Sequence, residues 1–390
     1  MPVLNRIAEF TAEMTAWRQD FHAHPELGFE ERRTSDIVAA KLAEWGIEVH
    51  RNIATTGLVG VLRNGSSTRS IGLRADMDCL PMEEQNGFAH RSTIPGKMHG
   101  CGHDGHTATL LGAAKYLAET RNFDGTIHFI FQPAEEGGGG GRVMVEEGLF
   151  TRFPCDQVYG IHNDPSLPLG EASAVAGVIL AASDRLAITV KGVGGHAARP
   201  HATIDPVLVG ANIVVALQAL VARRTDPLDS AVLSITQFHA GSAGNVIPDV
   251  AELKGTVRTL RPETRDAMER LITQVAQNTA AAHEAEAVVK YARNYPPTVN
   301  HPAETERAAL AAAKVLGEDK VLRSRPPIMG AEDFSFMLLQ RPGCFVKIGQ
   351  KGAGKGGVPV HHPLYDFNDD ALPVGASFFA TLVEQELPRG

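Results

Sequence analysis

The chain is poor in cysteine, and its four thiols, Cys79, Cys101, Cys155 and Cys344, show no paired spacing. A disulfide framework is therefore not expected, and a reducing cytoplasm is the expected compartment. Basic residues are outnumbered, 37 Lys and Arg against 45 Asp and Glu, which leaves a net charge of −8 with histidine neutral. The close basic pairs Arg32-Arg33 and Arg223-Arg224 read as solvated surface charge, so no Lys/Arg-dense stripe offers a footprint for nucleic acid. Long apolar runs are missing too. The richest stretch, Val207 to Val221, is interrupted by Asn212 and Gln218 and reads as a buried helix rather than a membrane span. Glu9, Glu13 and Arg18 break the apolar periodicity of Met1 to Asp20, which does not read as a signal peptide. Internal repeats are absent. Low complexity is confined to Gly137–Gly141 and "GQKGAGKGG", both expected to be mobile loops.

What remains is an ordinary globular composition, 43% hydrophobic and 21% charged. At 390 residues the chain is too long for one core and is expected to divide in two. Helical periodicity covers Ile7 to Arg18 and Thr34 to Trp45, separated by "FHAHPELGFEE", where Pro25 and Gly28 break the helix. "GLVGVLRNG" and "SIGLRADMD" read as strands, Thr107 to Ala118 as a helix, and Thr126 to Phe131 as a strand that delivers two glutamates. "QVYGIHND" is a strand that delivers His162. Such alternation predicts an α/β catalytic domain: a mixed, mostly parallel sheet with helices on both faces. Polar residues gather at the strand ends, where open α/β sheets bind ligands. From about Leu186 the order becomes β-α-β-β-α-β, that of a ferredoxin-like α+β unit. The expected division is residues 1–184 and 298–390 for the catalytic domain, with residues 185–297 inserted.

The most informative stretch is "HGCGHDGH", His99 to His106. Thiolate and imidazole are good ligands for zinc and its neighbours, and the glycines let Cys101 and His103 turn towards one point. Taken alone, these residues read better as loop histidines beside an idle thiol. Glu135, Glu136 and His162 at ends of the same sheet weaken that reading. A ligand set scattered along the chain and mixing S, N and O points to an open catalytic site rather than a closed structural one. Of two adjacent carboxylates, one can ligate while the other takes a proton from water. Asp76 and Asp78 end a strand, where a buried aspartate can orient a ligating imidazole. His361 and His362 are adjacent on an extended segment, so one of them is expected to ligate. His196 lies among glycines, which suggests close approach of backbone or ligand. His22 and His24 are candidates to support the site from behind.

Taken together, "RADMDCLP", "HGCGHDGHTATLLGAA", "FQPAEEGGGG", "GIH", "GGHAARPH", "NVIP", "GTVRT", "GAEDFSFM" and "HHPLYDFND" resemble the M20 metallopeptidase family. The resemblance is to its amidohydrolase branch of hippurate hydrolases, N-acyl-amino-acid deacylases and auxin-conjugate hydrolases. It spans nearly the whole chain, in order, with "HPELGFEE" added at the front. It implies two divalent metal ions per subunit (Zn, Mn, Co or Ni) bridged by Cys101. Glu136 and His361 would complete one metal, and His103 and His162 the other. The family's His-x-Pro spacing selects His361 over His362. By the same carry-over Glu135 is the general base and Asp78 orients the site. His196 polarises the scissile carbonyl from a partner subunit, and Asn245 and Arg258 hold the substrate carboxylate.

The resemblance thus implies a metal-dependent amidohydrolase acting on N-acyl-L-amino acids, a homodimer or tetramer through the inserted domain. Neither nucleic acid nor membrane is an expected partner. N-acetyl-diaminopimelate deacetylase, dipeptidase and N-carbamoyl hydrolase activities are alternatives within the class. A non-catalytic metal- or ligand-binding module on the same scaffold is the alternative outside it.

Overall fold

The computed structural model describes residues 3–389. The chain divides by its contacts into two units. The first comprises Met1–Gly177, Val299–Pro326 and Asp333–Gly390; the second comprises Val178–Thr298 and Pro327–Glu332.

The first unit is built on an eight-stranded mixed sheet. Its leading strands are β1 (Glu48–Ile53), β2 (Gly57–Asn64), β3 (Ser70–Asp76), β4 (Gly125–Gln132) and β5 (Gln157–Pro168). The four central strands run in the order β4, β3, β5 and Gly343–Lys351, all parallel. β1 and β2 extend one side antiparallel, and the short strands Ala172–Ser173 and Val321–Leu322 close the other. Alternation along β3 shows how the faces divide. Ile71, Leu73 and Ala75 enter the main apolar core, whereas Arg74 turns to Gln132 and Asp333 on the other side. On the core face lie α1 (Asn5–Glu9), α2 (Thr11–Ala23), α3 (Arg32–Glu44), α4 (His103–Thr120), Pro302–Leu316 and Leu372–Glu386. On the Arg74 side, α5 (Gly140–Glu146) packs with Phe334–Leu338.

The parallel core and its helix layers agree with the expected α/β class, but several local expectations need correction. α4 begins at His103, not Thr107, so its first turn carries the chemistry of the Gly-rich loop. Gly139 is left-handed and Gly140 opens α5, so the glycine run is a turn into a helix rather than a loop throughout. Gly349–Lys351 belong to a strand. The buried helix Leu372–Glu386 is almost uniformly apolar and lacks the periodic polar face that would have revealed it.

The second unit carries a four-stranded antiparallel sheet, ordered Ala231–Ala240, Val250–Thr259, Ala182–Lys191, Glu286–Tyr295. With helices Pro206–Arg224 and Pro262–Ala281, this is the ferredoxin-like order. Pro206–Arg224 is long and apolar enough to cross a membrane by length and composition, contrary to expectation, with a mean hydropathy of 1.7. Its Val209, Ile213, Leu217 and Leu220 nevertheless fill the unit's own core, at the i, i+4, i+8 and i+11 spacing of one helix face. Leu208 and Val215 on the other side are exposed, so the helix is half-buried rather than buried.

Two glycines of α4 give contrasting tests of this packing. A Cβ on Gly105 would fall 2.3 Å from the buried Phe367 ring, and one on Gly112 would fall 2.2 Å from the flexible Met14 sulfur. Replacing helical glycine by alanine gains up to about 1 kcal/mol of helix propensity. Overpacking a rigid site costs about 1–3 kcal/mol. Gly105→Ala should therefore lower the denaturation midpoint clearly, and Gly112→Ala much less, in urea unfolding of the purified variants.

Candidate metal centre

Because β3, β4, β5 and Gly343–Lys351 are parallel neighbours, the residues that follow them come together at one end of the sheet. Asp76 ends β3 and Asp78 lies two residues beyond it, Glu135 and Glu136 follow β4, and His162 lies on β5. The segment after Gly343–Lys351 returns His361, and the loop into α4 adds Cys101 and His103. That loop turns at Gly102, where φ is +95°. A Cβ there would fall 2.5 Å from both Asn163 Oδ1 and the Tyr365 hydroxyl, so only glycine fits.

The ligand atoms form overlapping triads, each within 4.8 Å: Cys101, His103 and His162; Cys101, Glu136 and His361; His103, Glu135 and Glu136. Cys101 Sγ is 3.5 Å from His162 Nε2, and His361 Nε2 is 3.1 Å from Glu136 Oε1. All five residues singled out as ligands therefore meet, with Cys101 in both three-ligand groups that divide them. Glu135 is buried beside them. His362 stands apart; its Nδ1 accepts the Leu364 N–H.

Partners behind the imidazoles decide which nitrogen faces the cluster. His162 Nδ1 donates to the Asn163 carbonyl at 2.7 Å, so Nε2 presents its lone pair towards Cys101. His103 Nδ1 faces Asp78 Oδ1 at 3.2 Å. Its Nε2 is buried and makes no hydrogen bond. Asp78 Oδ2 accepts the Glu136 N–H at 2.9 Å, so one carboxylate orients two candidate ligands. A second group was not assigned from sequence. His106 Nδ1 lies 2.6 Å from Asp76 Oδ1 and its Nε2 2.7 Å from Asn163 Oδ1, while Asn163 Nδ2 donates to the Tyr365 hydroxyl. The i, i+3 placement of His103 and His106 on a helix was the available signal.

Charge at the site favours a cation. Burial and the Glu136 carboxylate push the Cys101 thiol up to about 12. Burial also opposes charge on His103, but Asp76, Cys101 and Asp78 outweigh it and hold the imidazole well above its usual range. Burial, with Lys347 and His106, holds His162 well below it, and therefore neutral. A buried imidazole nitrogen that makes no hydrogen bond and lies 3.7 Å from Asp76 Oδ2, a neutral histidine aiming a lone pair at a thiol, and an S, N and O donor set fit divalent transition metal ions. The cation would supply the positive charge that thiolate formation at Cys101 requires.

The remaining candidates, His196, Asn245 and Arg258, belong to the second unit. His196 is exposed on the short strand Gly195–His196 and pairs with Val246. The Ala197 N–H donates to the Asn245 carbonyl, which ties Asn245 beside His196. Arg258 is half-buried in strand Val250–Thr259, opposite Val232 and Ser183.

Below α4, His22 is buried between Asp104 (2.8 Å) and Glu84 (3.1 Å). His24 is more exposed and bonds only locally, to the Asp20 carbonyl. Burial opposes charge on His22, but Asp104 and Glu84 raise it to about 9, against a smaller opposing effect of Arg18. Its folded pKa thus exceeds the unfolded value of 6.5, so its contribution to stability is full below about pH 6.5 and is lost as pH rises through about 9. The melting temperature of chelator-treated protein should fall over that interval, and His22→Gln should flatten the fall. An equal slope in both proteins would contradict the assignment.

Residues 72–385 match the profile of peptidase family M20/M25/M40. The hippurate hydrolase of Campylobacter jejuni is 40% identical over 382 residues, covering 98% of each chain. The N-acetylcysteine deacetylase of Bacillus subtilis is 38% identical over 375 residues, covering 96% of each. Among solved structures, a dinuclear metal binding peptidase from the M20 family of Bacillus subtilis superposes with a TM-score of 0.84. It is 34% identical, with 97% of this chain and 99% of that one covered.

Proposed function

The chain belongs to peptidase family M20/M25/M40, and on that premise we propose that it is a divalent-metal-dependent amidohydrolase that releases amino acids from N-acyl amino acids. The observation that carries the proposal is the convergence of Cys101, His103, Glu136, His162 and His361 with a further carboxylate, Glu135, in the same cluster. The names of the hippurate hydrolase and N-acetylcysteine deacetylase relatives support the reaction class, and the dinuclear peptidase supports a two-metal site.

Cys101, His103, Glu136, His162 and His361 would hold the divalent ions, with the Cys101 thiolate common to the two ligand groups. Bound ions would supply Lewis acidity, polarising the scissile carbonyl and acidifying water. Glu135 takes the proton of the attacking water and returns it to the leaving amine nitrogen. Asp78 keeps the His103 ring and the Glu136 backbone in register while that proton moves. We assign His196 to the developing oxyanion, reached from a partner copy in a homodimer or tetramer, and Asn245 and Arg258 to the substrate carboxylate. Donors preorganised around an oxyanion are often the largest electrostatic contribution to hydrolysis. Four free cysteines accord with a reducing cytoplasm as the working compartment.

Glu135→Gln should keep its metal content and lose about 10²–10⁴-fold in kcat. Turnover near the wild-type rate would remove Glu135 from the role. Chelation should abolish hydrolysis, and Mn²⁺, Co²⁺ or Zn²⁺ should restore it. A panel of N-acetyl-, N-benzoyl- and N-carbamoyl-amino acids and dipeptides, assayed with each ion, distinguishes the acyl-amino-acid reading from carbamoyl hydrolase and dipeptidase activities. Full activity of metal-free protein, or hydrolysis confined to dipeptides, would contradict the proposal.

A further inference from the structure

Glu31 is a carboxylate in an unusual place. It occupies the N-cap position of α3, where a side chain normally bonds the helix's first free N–H groups, yet it makes no such bond. Glu26 does so instead, with Oε1 accepting the Arg33 N–H at 2.9 Å and Oε2 the Thr34 N–H at 2.8 Å. Relieved of capping, Glu31 is fully buried on the far side of that turn. Its Oε1 accepts the Ala134 N–H at 2.8 Å, and its Oε2 accepts the Thr56 hydroxyl at 2.5 Å. A buried carboxylate is costly unless its oxygens are bonded, so these two contacts hold it there and are held by it.

Ala134 precedes Glu135 and adopts φ +52°, a left-handed conformation that is unfavourable for a non-glycine residue. Nearby packing leaves it little freedom: a Cβ on Gly28 would fall 2.8 Å from the Ala134 Cβ. Two residues on, the Glu136 N–H is held by Asp78 Oδ2. The amides on either side of Glu135 are thus each gripped by a different buried carboxylate, one from "GFEE" and one from "DMD". We propose that Glu31 is a positioning residue of the hydrolytic site, paired with Asp78 as a two-carboxylate clamp that fixes the backbone turn presenting Glu135 and Glu136. Burial and the nearby Asp78 charge push Glu31 up to about 7. Oε1 can accept from Ala134 in either protonation state, so the clamp does not depend on that equilibrium.

The inference rests on the functional reading above for its kinetic arm only. In metal-loaded protein, Glu31→Asp keeps the charge but shortens the reach. It should lower kcat about 10–100-fold with KM within about threefold, the consequence of a misplaced catalytic group. Glu31→Gln keeps length and an acceptor oxygen, and should retain at least about a third of wild-type kcat. Competitive chelator titration should show metal affinity lowered about 10–100-fold in Glu31→Asp and little changed in Glu31→Gln, as for other groups that support ligands from behind. Hydrogen exchange of the metal-free proteins should show the segment 133–137 deprotected in Glu31→Asp alone. Equal kcat and metal affinity in both variants, or losses that only track the unfolded fraction, would overturn the clamp. If the wild type hydrolyses no N-acyl amino acid, the functional reading fails, while the titration and exchange measurements still decide the clamp.

Discussion

The first unit is organised around a shortage of protons. Cys101, His103, Glu136, His162 and His361 bring their ligand atoms into one small volume, and the structure turns Nδ1 of His103 and of His162 away from it, towards Asp78 and the Asn163 carbonyl. Burial makes such an arrangement expensive unless something cationic occupies the centre. Without a cation, the thiol stays protonated and His103 retains a proton against the cost of desolvation. Folding and cation binding are therefore thermodynamically linked in this chain.

Support comes from carboxylates arranged behind the cluster rather than in it. Asp78 holds the His103 ring and the Glu136 backbone, and Asp76 holds the His106 ring and pairs with Arg74. Arg74 in turn reaches Gln132 and Asp333, and Asp333 accepts the Gly141 N–H at the start of α5. Burial works against charge on Asp76, but Arg74 and the two histidines hold its carboxyl well below the usual range. Glu31 and Glu26 extend the same logic to the "HPELGFEE" segment, which explains why a stretch with no ligand of its own packs under the glutamate turn. Partners of this kind restrict each side chain to one orientation, which a metal site requires.

Much of this was legible beforehand because it is local. Apolar runs ending in polar residues marked β2 to β5, and the Gly-flanked Cys101 and His103 announced a turn where chemistry could sit. Less was legible where the signal was tertiary. The helix Leu372–Glu386 lacks a polar face because it is buried nearly all round. The start of α4 was placed late because histidine, aspartate and glycine are poor helix formers, and tertiary bonds to Asp76 and Asp78 offset that propensity. The bond from His106 to Asp76 joins residues thirty apart in sequence, and that from Glu31 to Ala134 joins residues more than a hundred apart, so no spacing rule could reveal them.

Residue order alone settled which chemical groups the protein carries and which strand ends deliver them, because side-chain periodicity and glycine turns are properties of a few neighbouring residues. The tertiary fold decided which groups share a site and which lone pair each one presents. His361 rather than His362 meets Cys101 and Glu136, His103 turns Nε2 rather than Nδ1 to the cluster, and a glutamate from the edge of α3 grips the turn before Glu135. Those outcomes depend on parallel strand order and on hydrogen bonds between segments distant along the chain, interactions that exist only once the sheet has closed.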